Sequence, residues 1–193
     1  MLKRVIFACF SFLSLQTLAQ TEIEWHETAI KRHQTNKKGM LILGSWAASN
    51  IILGTVVSLQ TTGVDHYFYQ MNAGWNLINL GIALPTLLKN YKAPLTFAEN
   101  VKQQHLIEKI LLLNIGLDAA YMIGGVYLNQ LSVGNDQSQL LQGYGNSILL
   151  QGGFLMIFDC GLYLFHNRNG KQINKYLEKI SLSNAGIGLK VNF

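Results

Sequence analysis

Met40 to Leu59 reads MLILGSWAASNIILGTVVSL, twenty residues without one Asp, Glu, Lys or Arg. A helix needs about 20 apolar residues to cross the roughly 30 Å hydrocarbon core of a bilayer. Three further stretches resemble this one. Residues 68–88 carry no charge but contain three asparagines, residues 110–131 carry one charge, Asp118, and residues 147–165 carry one, Asp159. In a soluble bundle each helix would show a charged face. These are apolar nearly all round, so the pattern predicts an all-α fold: a four-helix transmembrane bundle over residues 39–166.

Composition agrees. Charged residues make up 13% of the 193 positions, against about 25% in an ordinary soluble domain. Mean hydropathy is +0.20. These values exclude a disordered chain, a coiled coil and a disulfide-stapled mini-domain. The net charge of +5 rests on 15 Lys and Arg, and their placement excludes a nucleic-acid surface. The loops at 60–67 and 132–146 contain none, whereas Lys31, Arg32, Lys37, Lys38, Lys89, Lys92, Lys102, Arg168, Lys171, Lys175 and Lys179 share one rim. Such a rim suits topology and anionic lipid head groups, which makes the lipid bilayer the first expected partner.

Upstream of the first span, residues 1–19 read as a signal peptide. Lys3 and Arg4 precede the apolar run Val5–Leu15, and Thr17-Leu18-Ala19 offers a cleavage point before Gln20. Removal would leave Cys160 as the one cysteine and no intramolecular disulfide. Export in this way puts the basic rim outside, whereas the positive-inside rule puts it in the cytoplasm. The two orientations stay open, in a bacterial membrane expected to be the inner one. Residues 20–38 are expected to form a short interfacial helix, starting at Thr21-Glu22-Ile23-Glu24 and resting Trp25, Ala29 and Ile30 on the bilayer surface. Thr96 and Glu99 have capping-box spacing, so the third helix should begin near Phe97. Pro85 falls in the last turn of the second helix. Residues 167–193 read as a basic tail. Its helix breaks near Gly170 and its end alternates like a strand, from Ala185 to Phe193, docked on the bundle.

The halves of the chain resemble each other. Leu43-Gly44, Ala47-Ala48 and Ile51 match Ile115-Gly116, Ala119-Ala120 and Ile123, and Asn79 with Gly81 matches Asp159 with Gly161. This order suggests two repeated helix hairpins, related by an axis along the membrane normal.

Polar side chains in hydrocarbon are costly and face the bundle interior. Asn72, Asn76 and Asn79 share one face of the second helix. Asn114, Asp118 and Tyr121 share one face of the third, and Gln151 and Asp159 one face of the fourth; Asn50 lies mid-way along the first. At 1.5 Å per residue, Asp118 and Asp159 come roughly 12 and 10 Å in from the basic side, at one depth. These nine residues form the candidate intramembrane polar core. It supports an interaction or scaffold module with a closed, paired interior. The alternative is a transporter-like or small-ligand-binding protein with a cavity beside Asp118 and Asp159. Gly116, Ala120 and Gly124 form a small-residue stripe suited to a homo-oligomer contact. The histidines 26, 33, 66, 105 and 166 make no HExxH pair, CxxC is absent, and no nucleophile–base set is recognisable. The sequence therefore offers no catalytic residues, metal ligands or cofactor motif, and a membrane enzyme is the least favoured of three readings, left open.

Residues 36–166 also resemble an uncharacterised family of bacterial four-helix membrane proteins. The resemblance rests on Asn36-Lys37-Lys38-Gly39-Met40, Leu43-Gly44-Ser45-Trp46-Ala47 and Tyr67-Phe68-Tyr69-Gln70-Met71-Asn72. It also rests on Trp75-Asn76 with Asn79, Leu117-Asp118-Ala119-Ala120-Tyr121, Gly143-Tyr144-Gly145, Gln151-Gly152-Gly153-Phe154 and Phe158-Asp159. It implies a signal peptide and four spans and, as a domain of unknown function, no activity.

Overall fold

A computed structural model describes residues 2–94, 96–183 and 186–189, with side-chain surroundings over 25–94, 96–175 and at 177. Four helices carry the fold: α1 (Leu2–Ser58), α2 (Gly63–Leu88), α3 (Phe97–Leu131) and α4 (Ser138–Lys179). A small antiparallel hairpin follows, β1 (Ile180–Ser183) with β2 (Gly186–Leu189), in the register Ile180 to Leu189 and Ser183 to Gly186.

Local chemistry sets several boundaries. Gly63 and Gly134 hold φ of +67° and +72° in the α1–α2 and α3–α4 turns, a conformation that side chains beyond hydrogen resist. The α3 start falls at Phe97 as expected, with the Thr96 hydroxyl accepting from the Glu99 amide at 3.1 Å. Pro85 lies in the last turn of α2, where the Lys89 amide closes the helix on the Pro85 carbonyl at 3.1 Å.

Three expectations are corrected. Residues 20–38 are not a separate helix, because α1 runs unbroken from Leu2 to Ser58, through the expected cleavage point. Their apolar face meets protein and not the bilayer surface: Trp25 and Ala29 are buried, Trp25 standing edge-on to Phe97 at 6.3 Å, while Ile30 is exposed. The α4 helix does not break near Gly170, which sits beside the Glu108 carboxylate of α3. The alternating C-terminal stretch is one arm of a two-stranded hairpin and not a lone extended strand; its last residues, Leu189 excepted, lie outside those described. The expected four-helix bundle is present, and three of its helices, those containing 25–58, 97–131 and 138–175, are long and apolar enough to cross a membrane. The asparagine face of α2 lowers its apolarity, though 26 residues span about 39 Å.

The helices pair as α1 with α2 and α3 with α4, and α2 and α1 both rest on α4. Backbone approach at these crossings is set by glycine. A Cβ on Gly54 would stand 2.7 Å from the Tyr69 carbonyl, and one on Gly125 would stand 2.8 Å from the Gly145 carbonyl. The two hairpins thus cross at comparable places, α1 on α2 and α3 on α4. By contrast α2 and α3 stand apart, touching where the Trp75 ring meets the Tyr121 ring edge-on at 4.8 Å.

The apolar core is small, with Leu43, Ala83 and Leu155 at its centre and Phe154 and Phe158 packed beside them. Large aliphatics such as Leu53, Leu113, Ile123 and Ile157 face outward. Apolar outside and polar inside is the arrangement that hydrocarbon solvent selects. Gly116 and Gly124 border open space, so the expected small-residue stripe plays no part in packing within the chain.

Two glycine substitutions separate these roles. Gly125→Ala should destabilise the bundle by about 1–3 kcal/mol through overpacking, while Gly116→Ala should leave it unchanged or slightly firmer. Thermal unfolding in mild detergent reads the difference, and equal midpoints would contradict this packing.

Candidate functional site

Mid-bundle, the expected polar residues fall into two groups. Asn72 anchors the first. Its Nδ2 donates to Asn50 Oδ1 at 2.6 Å, its Oδ1 accepts from Gln151 Nε2, and its main-chain carbonyl accepts from Asn76 Nδ2 at 2.8 Å. Asn50 Nδ2 donates onward to the Trp46 carbonyl at 2.8 Å, and Gln151 Oε1 accepts from Trp46 Nε1 at 3.0 Å. Asn79 Nδ2 completes the ladder on Asn76 Oδ1 at 3.1 Å. Three helices, α1, α2 and α4, are thereby tied through side-chain amides that leave no buried donor without a partner. Unbonded, each would cost several kcal/mol in an apolar medium.

The second group is acidic. Asp118 on α3 and Asp159 on α4 meet within hydrogen-bonding reach, with Asn114 bonded to the Asp159 carboxyl. The equal depth read from the sequence therefore corresponds to contact. Two carboxyl groups brought together in an apolar interior disfavour the doubly ionised state. The pair is not saturated: Asp118 Oδ2 is buried and has no hydrogen-bond partner, in a side chain only 2% exposed. The Asp118 side chain is among those lining a cavity of about 320 Å³ to which all four helices contribute. Asn79, Asn114 and Tyr121 reach the same cavity, and Trp75, Leu155 and Phe158 supply apolar wall. No Lys, Arg or His lines it. Among the described residues no three His, Cys, Asp or Glu converge as a metal site.

A third polar cluster was not expected. Where α1, α3 and α4 run past the end of α2, Arg32 is buried and donates to the carbonyl and Oδ1 of Asn100 and to Gln103 Oε1. Asn100 Nδ2 bonds Thr28 Oγ1 at 2.9 Å and the Trp25 carbonyl at 3.1 Å. Asn169 Nδ2 reaches the Thr28 carbonyl and Gln104 Oε1, both at 2.9 Å, and Gln104 Nε2 donates to the His166 carbonyl at 2.7 Å. The sequence reading placed Arg32 on the lipid-facing rim. Its real position follows from the long, unbroken α1, which carries it against α3. The available signal was the spacing of Asn100, Gln104, Leu111 and Asp118, which fall on one face of α3.

The uncharged loop end gathers no such site. His66 Nδ1 lies 2.7 Å from the Ser58 carbonyl oxygen, and Tyr144 meets Gln70 and the Tyr67 ring.

Residues 42–160 match a family of unknown function, DUF6992. The chain belongs to this family. The DUF6992 match contains every member of the amide ladder and of the acidic group, while Arg32, His166 and Asn169 lie beyond it. No curated protein and no solved structure matches the chain.

Removing the Asn100 side chain takes a partner from a buried guanidinium, at a cost on the order of 2–3 kcal/mol. Asn100→Leu should therefore lower the unfolding midpoint in detergent well beyond Gln103→Leu, whose contact with Arg32 is more exposed. Equal effects would contradict the buried placement of Arg32.

Proposed function

We propose that this DUF6992 member is a small-ligand-binding membrane protein, transporter-like in build. Asp118 and Asp159 form the polar end of a cavity reached through the gap between α2 and α3. The carrying observation is a buried Asp118 oxygen without a hydrogen-bond partner, on a side chain that lines that cavity. A purely structural core closes its polar groups on one another, as the Asn50–Asn72–Gln151 ladder does, and a carboxylate left open in an apolar wall costs stability without return unless something meets it. In this reading all four helices cross the bilayer, α2 turning its asparagines inward. Residues 1–19 direct export, and the chain resides in the inner membrane of a bacterial cell. The scaffold reading draws on a separate feature, the outward-facing Gly116 and Ala120, which suit contact with a second copy.

The test is covalent. A membrane-soluble carbodiimide attacks protonated carboxyl groups that it can reach. Mass spectrometry of the treated protein in membranes should find an adduct on Asp118 or Asp159, and Asp118→Asn with Asp159→Asn together should abolish it. Absence of any adduct at these positions, under conditions that label a reference membrane carboxyl, would favour the closed scaffold.

A further inference from the structure

Resting on that reading, we infer that the cavity takes a small apolar amine in its protonated form, entering sideways from the bilayer between α2 and α3. Charge comes first. The cavity holds two carboxyl groups and no cationic side chain, so an anionic ligand finds repulsion and no counter-charge. A protonated amine finds the Asp118 carboxyl, which has an unpartnered oxygen, and the Asp159 carboxyl beside it, both on the cavity lining. Asn114, already bonded to Asp159, holds that carboxyl in place. Charge-assisted hydrogen bonds of this kind are roughly twice as strong as neutral ones.

The rest of the wall decides what the amine is attached to. Leu155, Ile78 and Ile82 are aliphatic, and Trp75, Tyr121 and Phe158 are aromatic, so the body of the ligand is apolar and the rings add a favourable face for a cation. A bare metal ion fits poorly, because the oxygens gather at one end and an aliphatic wall cannot replace the remaining hydration shell. The volume of about 320 Å³ stands at the low end of ligand pockets, roughly 300–1,000 Å³, so the ligand is compact. The route follows from the packing. The α2 and α3 backbones stand apart, and the exposed Ile78, Ile82 and Leu117 flank the gap at membrane depth. An apolar amine concentrates in lipid and arrives there.

Three compounds of one shape separate the alternatives: 1-adamantylamine, 1-adamantanol and 1-adamantanecarboxylate. Their binding to the full chain in lipid nanodiscs is measured by calorimetry, with empty nanodiscs subtracted. The amine should bind saturably and at least tenfold tighter than the alcohol or the carboxylate. Asp118→Asn should weaken it tenfold or more. Leu117→Trp, at an exposed position where bulk does not strain the core, should block the gap and weaken binding without unfolding the bundle. If the alcohol or the carboxylate binds as tightly as the amine, and Leu117→Trp still blocks it, the cation inference is overturned while the pocket stands. If none of the three binds, or binding ignores Leu117→Trp, the ligand-binding reading itself fails.

Discussion

One side chain ties the bundle together. The Asn72 amide donates to α1 through Asn50 and accepts from α4 through Gln151, while its backbone carbonyl accepts from Asn76 one turn on. A rotation of α2 would turn its three buried asparagines outward and take their amides from these partners, a costly change in an apolar surrounding. Each such bond is worth only about 0.6–2 kcal/mol between membrane helices, but the penalty for breaking the set falls on α2 as a whole. The orientation of α2 is therefore fixed by its polar face, and the Gly54 crossing brings it close to α1.

The cavity is a consequence of that constraint. With α2 packed on α1 and α4, it stands away from α3, and the Trp75 ring meets the Tyr121 ring across the gap. The gap exposes the inner face of α3 at Asn114 and Asp118, and Asp159 joins from α4. Two classes of polar interior result. The amide ladder is saturated and holds the helices. The carboxyl pair keeps one oxygen without a hydrogen-bond partner and lies on the cavity lining. The Arg32 cluster is a third construction, where α1, α3 and α4 extend past the end of α2. It splints the extension through the hydrogen bonds of Arg32, Asn100, Gln104 and Asn169, and it draws on residues on both sides of the part of the chain that defines the family.

How much of this was legible in the sequence depends on the range of the contact. Helix starts are local, so Thr96 announced Phe97 correctly. Inward faces follow from 3.6-residue spacing, so all nine proposed polar residues fall on the ladder or the cavity. What failed was the choice of neighbour. Arg32 near a span end reads by default as a rim residue, and only the unbroken course of α1 brings it to Asn100. Gly170 reads as a break until Glu108 is seen against it. The wide spacing of α2 and α3 has no sequence signature, since it follows from what α2 does elsewhere. Within the chain, close helix crossings use Gly54 and Gly125, while Gly116 and Gly124 border open space.

The central claim is that Asp118 and Asp159 share a proton at the edge of an accessible cavity. Infrared difference spectroscopy of the protein in lipid, comparing wild type with Asp118→Asn and with Asp159→Asn, tests it most directly. The account predicts a protonated-carboxyl carbonyl band that shifts promptly in heavy water and is lost or displaced in either variant. A spectrum with no such band, or a band that neither substitution alters, would contradict it.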